Sequence, residues 1–98
     1  MPFSTKALLP VSAGDLIYCA TAGRAGFARR SADVGEDVEI VDSGIYAVSL
    51  ADRAGAEQER VYVSDIGAPV MSPTARPLGV ITAIHGENGR IVSVELNV

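Results

Sequence analysis

Turn signals interrupt this chain about every ten residues, and no sizeable stretch between them carries the apolar spacing of a helix. The signals are "AGD" at 13–15, "TAGRAG" at 21–26, "DVGED" at 33–37, "DSG" at 42–44, "SDIGAP" at 64–69 and "HGENGR" at 85–90. Short runs rich in β-branched residues lie between them and predict strands over 16–20, 27–29, 37–41, 45–50, 60–64, 78–85 and 91–96. A βαβ unit has no room to form. The spacing therefore describes an all-β fold, a small single-domain β-barrel or β-sandwich. The segment "ADRAGAEQE" at 51–59 allows at most one short helical turn, with a solvated loop as its equal alternative.

The closing segment "PLGVITAIHGENGRIVSVELNV" at 77–98 reads as a hairpin. Val92, Val94 and Leu96 alternate with Ser93, Glu95 and Asn97, so one face belongs to a core and the other to water. Its partner has Leu78, Val80 and Ile84 on one side and Ile81 on the other, which predicts cover on both faces. Asn88-Gly89 is a pair that readily takes the positive φ angles of a tight reversal.

A chain of 98 residues supports one domain, and folding at that size hides roughly 65% of the surface the unfolded chain exposes. Apolar residues at 48% and charged residues at 20% place it among chains that fold. The division is an extended N-terminal arm over 1–12 and a β domain over 13–98. Apolar runs fall far short of the ~20 residues of a membrane helix, and "MPFSTKALLPVSAGD" lacks the basic start and apolar core of a signal segment. A cytoplasmic chain is expected, with no membrane partner. The formal charge of −4, from eight basic and twelve acidic residues, argues against direct nucleic-acid contact. Cys19 is the only cysteine, so no internal disulfide or multi-cysteine metal cluster is available, and a small buried thiol is its expected state.

The search for chemistry leaves no catalytic residue, metal site or cofactor to assign. His85 is the only histidine and sits at the mouth of a turn, where a strand end half in water is expected. Ser43 lacks a G-x-S-x-G setting and, with Asp42, serves a turn. The carboxylate pairs Glu36/Asp37 and Glu57/Glu59 lie in loops of a chain too short to wall off a cleft. "GRAG" at 23–26 is a turn rather than a phosphate loop. Arg24, Arg29 and Arg30 surround Phe27, but five Phe and Tyr residues with no Trp are too few for a base-stacking platform. Lys6, the only lysine, is not at a hairpin tip, as a lipoyl- or biotinyl-type carrier would require. What remains is surface. "MPFSTKALLP" offers Phe3, Leu8 and Leu9 with no obvious strand partner, and the proline-rich "GAPVMSPTARP" offers Val70 and Met71. Apolar arms and loops of this kind pair with other chains by strand addition or docking. The candidate contact residues are Pro2, Phe3, Ser4, Thr5, Lys6, Leu8, Leu9, Val70 and Met71.

The order of phrases carries a resemblance. Gly14-Asp15 precedes an early strand, the block 35–50 comes next, then "RVYVSD" at 60–65, Leu78-Gly79-Val80, and the closing 92–96. This order resembles the capsid cement, or head decoration, proteins of tailed bacteriophages over about residues 13–98. The connection "ADRAGAEQE" and Val63 depart from the family's shorter link and its aromatic at that place. The resemblance implies a β-barrel-like subunit without catalytic residues or cofactors, commonly a homotrimer. Such a subunit is assembled in the host cytoplasm and located in the virion on the outer capsid surface, bound to the major capsid protein. It binds the expanded shell and braces neighbouring coat subunits. A tail-tube or head–tail joining subunit is the alternative, and a small hydrolase using His85 with Cys19 or Ser43 a more distant one.

Overall fold

Alternating large aliphatic and small polar residues build two antiparallel sheets in the computed structural model, which describes residues 3–98. Their strands are β1 (Phe3–Lys6), β2 (Leu16–Cys19), β3 (Arg24–Ala28), β4 (Asp37–Val41), β5 (Ile45–Ser49), β6 (Arg60–Val63), β7 (Pro69–Val70), β8 (Pro77–His85) and β9 (Ile91–Leu96). One curled sheet has the order β1-β4-β3-β2 and the other β5-β9-β8-β6-β7. The described residues contain no helix, and 51–59 is an irregular loop. The fold is all-β and barrel-like.

The main core forms on the inner face of the five-stranded sheet. Val92, Val94 and Leu96 of β9 are buried there, with Val61 and Val63 of β6 and Leu78 and Ile81 of β8. Full burial of each such side chain stabilises the fold by about 1.5–3 kcal/mol. Simple alternation fails along β8, because a register shift lies between Ile81 and Ala83. The extra residue places Ile81 opposite Val94 and Ile84 opposite Val92, so both lie on one face rather than on opposite faces. Gly79 has a packing cause: a Cβ there would collide with the Glu95 carbonyl oxygen of β9. The hairpin turn is wider than an Asn-Gly reversal. His85 pairs with Ile91, Gly86 and Gly89 take positive φ, and the Asn88 side chain instead accepts the Arg90 amide at 3.0 Å.

The four-stranded sheet is apolar on both faces. Tyr18, Ala25 and Phe27 pack toward the five-stranded sheet, and the Phe27 ring lies 5.2 Å from that of Tyr46 on β5. The opposite face carries a second cluster of Ala28, Val38 and Ile40 with Ile17 and Phe3. Cys19 is half-buried on strand β2 rather than enclosed in a core, because β2 is an edge of its sheet.

The segment expected as an arm is extended but docked. β1 has a strand partner in β4, with Phe3 opposite Ile40 and Thr5 opposite Val38. Phe3 and Thr5 are therefore half-buried, while Ser4 and Lys6 face outward. Pro2 lies outside the described residues. Val70 and Met71 are corrected more firmly: they are 8% and 3% exposed, buried in the core rather than offered at the surface. Val70 belongs to β7, which pairs with β6, and prolines bound this edge strand without exposing it. The Asp52 carboxylate fixes the backbone at the end of β7, accepting the amides of Met71 at 2.8 Å and Ser72 at 2.9 Å and the Ser72 hydroxyl at 2.8 Å.

One polar residue ties the sheets together. Asn97, just past β9, donates from Nδ2 to the carbonyls of Ala25 at 2.8 Å and Asp42 at 2.6 Å. Its Oδ1 accepts the Ala25 amide at 3.3 Å, and its own amide donates to Leu78 at 2.8 Å. Its φ of 55° is one that Asn tolerates better than most residues. Beside it the buried Asp42 carboxylate meets the Arg24 guanidinium at 3.0 Å.

Replacing Asn97 with Ala is expected to lower stability by about 2–3 kcal/mol in urea unfolding, because it strands two carbonyls and an amide at the seam. Asp52 predicts a pH dependence. Desolvation raises its pKa, but the amides of Met71, Ser72 and Arg53 and the Ser72 hydroxyl outweigh this and hold it well below the usual carboxylate range. A carboxyl depressed in the folded state stabilises fully above its unfolded value of about 3.9, and that contribution is lost as pH falls toward the folded value. Asp52→Asn should be less stable than wild type at pH 7. The gap in unfolding midpoint should narrow steadily below about pH 4.

Candidate functional site

Two backbone clamps force a short piece of the N-terminal segment outward. The Ala7 amide donates to Glu36 at 2.9 Å and its carbonyl accepts the Gly35 amide at 2.8 Å, while Val11 and Ala32 exchange bonds of 2.9 Å in both directions. Residues 8–10 span the gap with nowhere to go but solvent. Leu8 is 86% and Leu9 73% exposed. Their exposure is built in by the anchors on either side.

A second tight turn brings another aliphatic residue to the same place. Ser64 and Ala68 are joined by an amide-to-carbonyl bond of 2.8 Å, the Ser64 hydroxyl accepts the Ala68 amide at 3.0 Å, and Gly67 donates to Ser64 at 3.0 Å. Ile66 projects from this turn, 86% exposed. A Cβ on Gly67 would stand 3.8 Å from the Leu16 carbonyl, which places the turn against the start of β2. Between the two projections lies a groove of about 560 Å³, lined by Leu8, Leu9, Val11, Leu16, Ile17 and Ile66 among others.

The groove carries little charge. Lys6 at its rim is paired with Asp37 at 3.3 Å, and Asp15 accepts the Ser12 amide at 2.9 Å to close a turn. An apolar recess walled by isolated aliphatic side chains suits contact with another macromolecule's apolar surface.

The sequence candidates for chemistry scatter. His85 Nε2 lies 2.7 Å from Ser93 Oγ at an exposed position on the five-stranded sheet. Ser43 is exposed in its turn. Glu36 accepts the Asp33 amide at 2.7 Å, and Glu59 accepts the Ala56 amide at 2.8 Å, so both carboxylates brace turns. The arginine cluster is largely neutralised locally, Arg24 by Asp42 and Arg29 by Glu39 at 2.8 Å. Among the described residues no group of three or more His, Cys, Asp and Glu is arranged to hold a metal.

Of the contact candidates, Thr5, Lys6, Leu8 and Leu9 line the groove, while Phe3 packs in the second cluster, Met71 packs in the main core and Val70 is buried on β7. Ile66 is not among those candidates. Its signal in the letters is a bulky aliphatic residue inside the turn phrase "SDIGAP", where a turn by itself requires none. Comparison with family models, with curated proteins and with solved structures finds no match to this chain.

The double replacement Leu8→Ser/Leu9→Ser should leave the free energy of urea unfolding within about 0.5 kcal/mol of wild type, because neither side chain contributes to a core. The same variant should elute earlier from a phenyl column, which reads the lost apolar surface.

Proposed function

We propose that this chain is a structural subunit of a tailed-bacteriophage head, binding the outer surface of the expanded capsid and bracing its coat subunits. The observation that carries the reading is the pair of anchored loops, which hold Leu8, Leu9 and Ile66 in solvent around one groove. A decoration subunit requires such a preformed adhesive surface, because residues ordered before binding lose little freedom when they dock. The order of strand and glycine phrases shared with capsid cement proteins supports the same reading, and the all-β framework is compatible with it.

In this role the protein acts by mass action, stabilising whichever lattice it binds and leaving the unassembled coat alone. A homo-oligomer, with the trimer implied by the resemblance, would engage several sites at once and gain avidity from a modest single contact. The major capsid protein is the partner and the virion exterior the location. No catalytic residue or cofactor is assigned.

The test uses shells assembled from the major capsid protein of a tailed bacteriophage, expanded and unexpanded. Expanded, undecorated shells should bind the protein saturably in co-sedimentation, and unexpanded shells weakly. Leu8→Ser/Leu9→Ser/Ile66→Ser should reduce attachment by about tenfold or more, the loss of roughly 1.4 kcal/mol or greater per site. Unchanged attachment of the variant would remove this groove from the reading, and no attachment of the wild type to expanded shells would end it.

A further inference from the structure

Strand β5 ends the five-stranded sheet and is bonded on one side only, to β9. The Leu96 amide donates to Gly44 at 3.0 Å and the Leu50 amide to Arg90 at 2.7 Å. Antiparallel ladders alternate bonded and non-bonded pairs, so the even-numbered residues of this strand turn their backbone groups toward β9. Ile45, Ala47 and Ser49 sit at the non-bonded positions, opposite Glu95, Ser93 and Ile91. Their N–H and C=O groups point off the sheet, three donors and three acceptors along one edge.

The other sheet edges carry features that blunt pairing, whereas this one is open over 45–49 and meets β7 only beyond that stretch, where the Ala51 amide donates to the Pro69 carbonyl at 2.9 Å. β1 bears Lys6, β7 is two residues long and begins with Pro69, and the 64–68 turn lies against the start of β2. β5 reads Ile-Tyr-Ala-Val-Ser, with neither charge nor proline. Its outward side chains are exposed, Ile45 at 59%, and its neighbour Ile91 on β9 is 47% exposed.

We infer that β5 is a pairing edge through which two copies of this chain associate antiparallel about a two-fold axis at Ala47. The edge is self-complementary in that register. Ala47 meets Ala47 of the second copy, Ile45 meets Ser49 and Ser49 meets Ile45, so every outward donor faces an outward acceptor. No like charges oppose each other. Ser49 is small enough for Ile45 to lean across it toward Ile91 of the second copy, which covers the two exposed isoleucines at either end. A shift by two residues would leave groups of both copies unmatched. The two sheets become one of ten strands through an isologous contact. This contact uses neither the groove nor a capsid, is two-fold and so distinct from any contact that would build the trimer implied by the resemblance, and stands independently of the function proposed above.

The test is sedimentation equilibrium of the full chain in the absence of shells. Wild type should associate reversibly with rising concentration through this contact. Ala47→Glu and Ala47→Lys should each weaken association by about tenfold or more, because like charges would face each other across the axis. Mixed in equal amounts they should restore a one-to-one heterodimer. Ala47→Pro should keep the circular dichroism and unfolding midpoint of wild type, since its lost amide faces away from β9, and should also lose association. A wild type that stays monomeric at all concentrations would overturn the inference. So would association untouched by Ala47→Glu and Ala47→Pro, or a Glu/Lys mixture that fails to pair.

Discussion

The junction at Asn97 decides how the two sheets meet. Among the described residues no strand ladder joins the four-stranded sheet to the five-stranded one, and within the four-stranded sheet β3 and β4 share only two residue pairs, Phe27 with Val41 and Ala28 with Ile40. Aliphatic contacts between the sheets favour proximity without selecting one placement, because apolar attraction has no direction. The Asn97 amide is directional. By bonding carbonyls of Ala25 and Asp42 it fixes the end of β9 to β3 and to the residue just past β4. Low local dielectric strengthens each of these bonds and makes each expensive to break. The adjoining Arg24–Asp42 ion pair, half open to water on the arginine side, adds register more than stability.

Once the sheets are fixed, the loops inherit their rigidity. The clamps at Ala7 and Val11 hang on the β1–β4 side of one sheet, and the Ser64–Ala68 turn hangs on β6 of the other. The groove therefore spans elements from both sheets, and its width is set by the junction rather than by either loop. That geometry suits recognition of a fixed surface. It offers no enclosure in which water could be excluded from a reacting group, and the polar side chains that sequence reasoning weighs for chemistry are spent on turns and surface pairs.

Much of this architecture is legible in the letters, for local reasons. β4 and β9 begin and end where the alternation does, and the seven glycines with positive φ all fall within the six turn phrases. The failures are non-local. β1 escapes notice because "FSTK" has one strong apolar residue and gains its strand character from β4, more than thirty positions away. Val70 and Met71 look exposed because prolines flank them, whereas their burial is enforced by Asp52, 19 and 20 residues upstream of the amides it captures. The bulge between Ile81 and Ala83 is equally hard to read, since in the letters Ile81 looks like an apolar residue on the opposite face and not like the sign of a register shift. Leu8 and Leu9 can be picked out as surface, but the clamp partners Gly35, Glu36 and Ala32 that hold them there are a matter of tertiary pairing.

The Phe27–Tyr46 ring contact has an optical consequence. The chain has no tryptophan and three tyrosines, so its native absorbance above 270 nm comes from few chromophores. Tyr46 is the one whose ring packs on an aromatic of the opposite sheet. An asymmetric, fixed surrounding of this kind generates near-ultraviolet ellipticity that vanishes when side-chain packing loosens. The molecule thus carries its own gauge of sheet docking at the seam, separate from the far-ultraviolet signal of the strands.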